Sequence, residues 1–458
     1  MSTSLEHEKP VVEPAGSSRP ARRVLPVVVG VVLAPVLLVL GGIAFTTGSA
    51  PPPAGPPPEV GVGQVQVAGD QAAMVEALED RVERLPADDA AWASLGIAYL
   101  AQARTTADPT FYDRAEVALA QSLQVRPEDN ADALAGQGAL ANARHDFAGG
   151  RDLAESAIAV DPYDSTARGV LADSQLELGE YDAALITLQE MVDLRPGVPS
   201  FTRISYSFEL RGETDQARDL LERALEQSSN PADIAFCLFH LGRLSADAGD
   251  HAAAMARYDQ GLDLDPDNVE LLAGRAAAQA ALGQDEAAVA TYADVVQRLP
   301  QPVYLVEYAE LLDSLGRTDE ADEQLAVADT VRTLFDAAGV VPDVEVALHE
   351  ADHGDPARAL AVAEANAATR RSVQVEDALA WALHSNGRDA EALVHAEAAA
   401  ALGTRNALWD YHRGMIQLEL GRPDQARASL EQALETNPEF SRLHAPLARE
   451  ALAQLAAP

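Results

Sequence analysis

From about residue 88 onward, apolar residues recur at i, i+3, i+4 and i+7, the rhythm that gives a helix one stripe to bury. The stripes come in pairs. In LFHLGRLSADAGDHAAAMARYDQGLDLDP, Leu238, Leu241 and Gly242 mark a first helix and Gly249 marks a turn. Ala254, Tyr258 and Gly261 then mark a second helix, which Pro266 ends. The layout returns with Leu272, Gly283, Ala288, Tyr292 and Pro300. It stands earlier as Leu171, Gly179, Tyr181, Ala184, Leu188 and Pro196, and later as Gly414, Gly421, Ala426, Leu430, Ala433 and Pro438. Weaker copies centre on Gly212, Gly316, Gly354 and Gly387. One hairpin cannot bury both of its faces, but stacked copies can. The pattern predicts an all-α fold, an α-solenoid of about ten hairpins over residues 88–438, with capping helices at 69–87 and 439–458.

Two stretches depart from the pattern. TTADPTF adds about seven residues to the first repeat and predicts a longer hairpin loop there. Around Val331–Pro342 the register slips, which predicts a break between two sub-stacks and the place for a hinge.

The start of the chain follows other rules. Val24 to Phe45 carries no charge and is long enough to cross a bilayer, so residues 24–47 are expected to form a transmembrane helix. Residues 1–23 are expected to be a disordered tail, and the Pro/Gly-rich residues 48–68 a linker. Arg19, Arg22 and Arg23 precede the span, and the next basic residue is Arg81. That asymmetry predicts a single-pass protein of the cytoplasmic membrane, its N-terminus inside and its solenoid extracytoplasmic.

The repeat residues resemble the tetratricopeptide repeat (TPR) over roughly 380 of the 458 residues. The resemblance implies that the first helices of the repeats line a concave groove that takes a peptide or a partner's helix. Mapping the register then gives Asp173, Tyr206, Phe239, Arg243, Asp247, Tyr411 and Met415 as groove residues. Phe239 and Arg243 stand one turn apart, an aromatic and a cation of the kind that anchors interfaces. The implied function is a protein-binding scaffold, membrane-anchored through residues 24–47. A narrower alternative comes from ALEDRVERLPADDAAWASLGIAYL, which is similar to anchored TPR proteins that hold apocytochromes, and implies an extracytoplasmic chaperone-like assembly factor.

Charge narrows the partners. The formal net charge of -39 repels a phosphate backbone and excludes nucleic acid, and it favours protein segments that are basic or neutral. The basic clamp some TPR domains use is ruled out, because Lys9 is the only lysine. Cys237 is the sole cysteine, flanked by Phe236 and Leu238, and reads as a small core hydrophobe.

One motif competes with the scaffold reading. His349, Glu350 and His353 spell the H-E-x-x-H of zinc hydrolases. The repeat register makes Gly354 a turn, so the helix stops just after His353. A third ligand such as Glu376 would belong to the next hairpin. The expectation is therefore no catalytic site, no cofactor and no small-molecule substrate. His349, Asp352 and His353 remain as the candidate metal ligands on one helix face. No glycine-rich phosphate loop, nucleophile elbow or dinucleotide fingerprint accompanies them.

Overall fold

The computed structural model describes residues 68–106, 108, 110–337 and 342–456. They form twenty-two helices and, among the described residues, no strand. Helix α1 (Ala68–Arg84) precedes ten hairpins. The first five are α2 (Asp89–Thr106) with α3 (Thr110–Val125), α4 (Ala131–Ala143) with α5 (Phe147–Val160), α6 (Ser165–Glu177) with α7 (Tyr181–Leu194), α8 (Val198–Leu210) with α9 (Thr214–Gln227), and α10 (Pro231–Asp247) with α11 (His251–Leu262). The rest are α12 (Val269–Ala281) with α13 (Asp285–Arg298), α14 (Pro302–Ser314) with α15 (Thr318–Ala337), α16 (Val344–His353) with α17 (Pro356–Thr369), α18 (Val373–Ser385) with α19 (Asp389–Ala399), and α20 (Ala407–Glu419) with α21 (Pro423–Thr436). Helix α22 (His444–Ala456) covers the last hairpin.

Each hairpin is built from local chemistry. After α10 the chain reverses at Gly249, whose N–H donates to the Ala246 carbonyl while that of Asp250 donates to Ser245. The Asp250 carboxylate then accepts from the Ala253 N–H and caps α11. Five residues past each turn the same small side chain recurs: Ala184, Ala217, Ala254, Ala288, Ala359, Ala392 and Ala426 are fully buried, so paired helices touch almost backbone to backbone. Larger side chains fill what remains, among them Leu188, Leu271, Leu312 and Leu430. Burying each contributes on the order of 2 kcal/mol.

Even-numbered helices pack on one another, as α2 on α4, α4 on α6, α10 on α12 and α18 on α20, whereas among the described residues the odd-numbered helices pack mainly on even ones. The even helices therefore form the tightly curved inner layer. That curvature winds the stack until it meets itself. Arg371 N–H donates to the Glu177 carbonyl at 2.7 Å, and Val373 N–H to the Tyr181 hydroxyl at 2.7 Å. One hairpin on, Thr404 donates to the Leu210 carbonyl, and one further Asn437 donates to the Ala246 carbonyl at 2.9 Å. The partners lie 194 and 191 residues apart in these last two, a constant offset that corresponds to roughly five to six repeats per superhelical turn. Gly212 sits on this seam in a left-handed conformation (φ 71°), and a side chain there would also strike the Gly403 carbonyl.

Three expectations need correction. Among the described residues no helix is long and apolar enough to cross a membrane, which overturns the single-pass assignment and the extracytoplasmic placement drawn from it. The repeat helices carry polar residues on their outer turns, which water must meet. Residues 24–47, with the tail 1–23 and most of the linker 48–68, lie outside the described residues. The extra residues of the first repeat mainly lengthen its helices, α2 having 18 residues against 13 in α4. Gly354 closes α16 at φ -123°, outside the left-handed region the other hairpin turns use.

Candidate functional site

The inner layer carries the charged residues that packing does not require. Between α6 and α8, Arg203 pairs with Asp173, Nε to Oδ1 at 3.1 Å, both side chains almost fully buried. Burial pushes Asp173 up to about 6 although Arg203 opposes it. Asp173 is therefore a tie between inner helices and out of a partner's reach, contrary to its expected place in the groove. Tyr206 is likewise buried, its hydroxyl accepting from Gln374 across the seam, and Tyr411 is buried against Trp381 and His444. All three lie on the first helices of their hairpins, where adjacent helices cover Asp173 and Tyr411 and the seam covers Tyr206.

The other groove residues lie nearer the surface. Phe239 is partly exposed and packs on Tyr258, ring centroids 6.2 Å apart. Arg243 bridges from α10 to Glu209 of α8 at 2.7 Å and reaches Asp247 at 3.5 Å. Burial disfavours its charge, but Glu209 and Asp247 outweigh burial and hold the guanidinium charged. Met415 is partly exposed on α20.

Four side chains identify where the wall is concave. Arg104, Asp247, Glu270 and Glu307 are exposed, yet their protonation is governed first by desolvation. A group that reaches water while protein surrounds it on most sides stands inside a hollow. Asp247 is pushed up to about 6 by burial, against Arg243, with Glu209 adding to the rise. Glu307 is pushed up to about 7 by burial, with Glu310 adding to it and the Tyr292 hydroxyl opposing. Arg104 and Glu270 come from α2 and α12 and act on one another across this space. The sequence signal that could have found Glu270, Glu307 and Arg104 was weak, since each is one charge among many.

The H-E-x-x-H residues do not converge. His349 Nε2 lies 2.7 Å from a guanidinium nitrogen of Arg332, a cation where a metal ion would have to sit. His353 Nε2 turns to Glu310 at 3.0 Å. Asp352 accepts from the Trp381 indole at 2.7 Å and faces His444 at 3.3 Å. Glu350 is buried, accepts from the Asp355 N–H at 3.0 Å and pairs with Arg358 at 3.3 Å, so it secures the start of α17. Glu376, the proposed third ligand, faces His395 at 2.6 Å. Among the described residues no group of three or more metal-binding side chains gathers. Cys237 is fully buried, and burial pushes its thiol up to about 12, which makes it a core residue.

These two histidines bridge a gap instead. Consecutive helices pack side by side along the rest of the described stack, but α15 barely touches α16. Arg332–His349 and Glu310–His353 span that junction.

Comparison with known proteins adds three observations. A tetratricopeptide repeat family model matches residues 141–201 and 245–305, and a second tetratricopeptide repeat model matches residues 411–440. The Protein CTR9 homolog of Arabidopsis thaliana is 25% identical over 243 residues, which is 51% of this chain and only 22% of the relative's own length. Among solved structures, a thermophilic TPR protein of Thermus thermophilus is 21% identical, covering 42% of this chain and 98% of its own with a TM-score of 0.37. A human IFIT1 dimer with PPP-AAAA is 14% identical, covering 80% of this chain and 87% of its own with a TM-score of 0.43.

Proposed function

The chain is a tetratricopeptide repeat protein, and from that premise we propose that it is a scaffold that holds partner proteins by an extended segment laid along its inner helices. The observation that carries this reading is the hollow marked by Arg104, Asp247, Glu270 and Glu307, charged side chains that stay exposed inside the curve of the stack. The carboxylates among them, Glu307 above all, are suited to a ligand that brings positive charge. Phe239, Arg243, Asp247 and Met415 are the groove residues open enough to touch it.

The junction between α15 and α16 is proposed as the hinge, because polar pairs replace helix packing there. Small rotations at that point would widen or narrow the hollow.

The test is site-specific photo-crosslinking in cells that express the protein. A photoreactive residue at Phe239 or Met415 should trap the same defined partners. One at Ile186, exposed on the outer helix α7, should trap none of them. Equal trapping from both faces would defeat the inner-wall reading.

A further inference from the structure

The ninth residue after the hairpin-turn glycine is a buried leucine in several repeats: Leu188, Leu221 and Leu430. In two consecutive hairpins it is Tyr258 and Tyr292, both nearly fully buried. A leucine satisfies the packing, so the hydroxyls are surplus to it. The ring of Tyr258 threads between Gly242 of α10 and Gly274 of α12, where any added Cβ would strike ring carbons. Among the described residues its hydroxyl has no hydrogen-bond partner, and the charges that act on it are Asp247, Arg243 and Glu307, all of the inner layer. Tyr292 donates to Glu307 Oε2 at 3.1 Å and stacks on Tyr308 with centroids 5.9 Å apart.

The carboxylates beside these hydroxyls are unequally satisfied. Arg243 serves Glu209 and Asp247, and His353 serves Glu310. Glu307 has no ion-pair partner among the described residues, while desolvation and Glu310 both act against its charge. A carboxylate so placed gains most from a cation that arrives with its own hydrogen-bond donors.

The geometry points to a subsite for one guanidinium or ammonium side chain of an extended basic segment in the partner protein, seated on Glu307 between the hydroxyls of Tyr258 and Tyr292. The cation's N–H groups donate to the Glu307 carboxylate and to the unpartnered Tyr258 hydroxyl. This rests on the reading that the inner helices take protein segments, and it names the chemistry such a segment must carry.

The test is calorimetric titration of the full chain at neutral pH with an eight-residue peptide of alternating alanine and arginine. A peptide of alternating alanine and glutamate serves as its counterpart. The arginine peptide should bind and the glutamate peptide should not. Glu307→Gln should weaken binding about tenfold and Tyr258→Phe several-fold, while Glu397→Gln, on α19, should leave it unchanged. Binding at pH 7 should also release protons, read from the dependence of the heat on buffer ionisation, because a docked cation drives Glu307 to its charged form. That release should vanish in Glu307→Gln, a change that a purely structural role would not produce. Equal affinity of wild type and Glu307→Gln, or no binding of the arginine peptide, overturns the subsite. If the photo-crosslinks from Phe239 persist in that case, the scaffold reading survives without it. If they are absent too, both fall.

Discussion

The helices before residue 338 and those after residue 342 are built from the same hairpin, but different side chains tie their inner helices together. In the first region Arg203–Asp173 and Arg243–Glu209 join successive inner helices. In the second, His412–Asp377 does so at 3.0 Å, and His384, His395 and His444 each face a carboxylate as well. Arg203 and His412 even hold the same place in their repeats, each two residues before the position of Gly414. A guanidinium offers a planar fork of N–H donors to a carboxylate, and an imidazole meets it with a single ring nitrogen. One backbone plan thus joins its inner helices by guanidinium–carboxylate pairs in one region and by an imidazole–carboxylate pair in the other, and His349 and His353 stand where the two meet.

The sharpest way to break this comparison is to cut the seam that holds both regions. Arg370, fully buried, pairs with Glu177 of the first region at 2.8 Å and Asp343 of the second at 2.5 Å. Arg370→Ala should cost about 3–5 kcal/mol, because two carboxylates stay buried without it. Urea denaturation should show that loss and split one transition into two. Next in size, Leu271→Ala and Leu430→Ala delete equivalent core volume, one in each region. Each should cost about 2–5 kcal/mol in the same assay, and a marked inequality would mean that one region packs less tightly.

Helix α16 should also make stability respond to pH, in two opposed ways. Burial pushes Glu345 up to about 8, with Asp343 adding and Arg370 opposing. Between about 4.5 and about 8 the folded chain holds a proton that the unfolded chain has released, so stability falls as pH rises through that window. Glu345→Gln should remove this fall, by about tenfold or more in the folding constant at pH 8. Burial, then Arg332 and His353, push His349 down to about 4. Here the unfolded chain holds the proton between about 6.5 and about 4, so stability is lost as pH drops through that range. His349→Gln should blunt the acid loss, and Tm measured across pH checks both. The smallest effects belong to helix caps: Asp250→Ala and Asn406→Ala each remove an N-cap bond. Each should cost about 1 kcal/mol in either region.

Much of the architecture could be read from spacing alone. Glycine at the turn and alanine five residues later appear in strong and weak copies alike, and each alanine proved fully buried or nearly so. The ten hairpins among the described residues agree with the count of about ten that these positions give. The seam was not legible, because its pairs, such as Arg370 with Glu177, lie 193 residues apart. Their meeting depends on superhelical pitch, a sum of small rotations that no local motif encodes. The same winding covers Tyr206 with Gln374, whereas Asp173 and Tyr411 are buried by side chains of the adjacent helices. The H-E-x-x-H motif shows the converse: its spacing is local, but its own His349, His353 and Glu350 are engaged by Arg332, Glu310 and Arg358, and Glu376 faces His395.

The fixed offset along the seam limits how this chain can change its length. A hairpin gained or lost between Glu177 and Arg370 would slide every later contact by one unit, setting Asn437 and Thr404 against the wrong carbonyls all at once. Duplication, the ordinary way repeat arrays grow, is therefore penalised inside that interval. Adjustment there is left to the choice of side chain within existing hairpins, such as tyrosine at 258 and 292 where other repeats carry leucine.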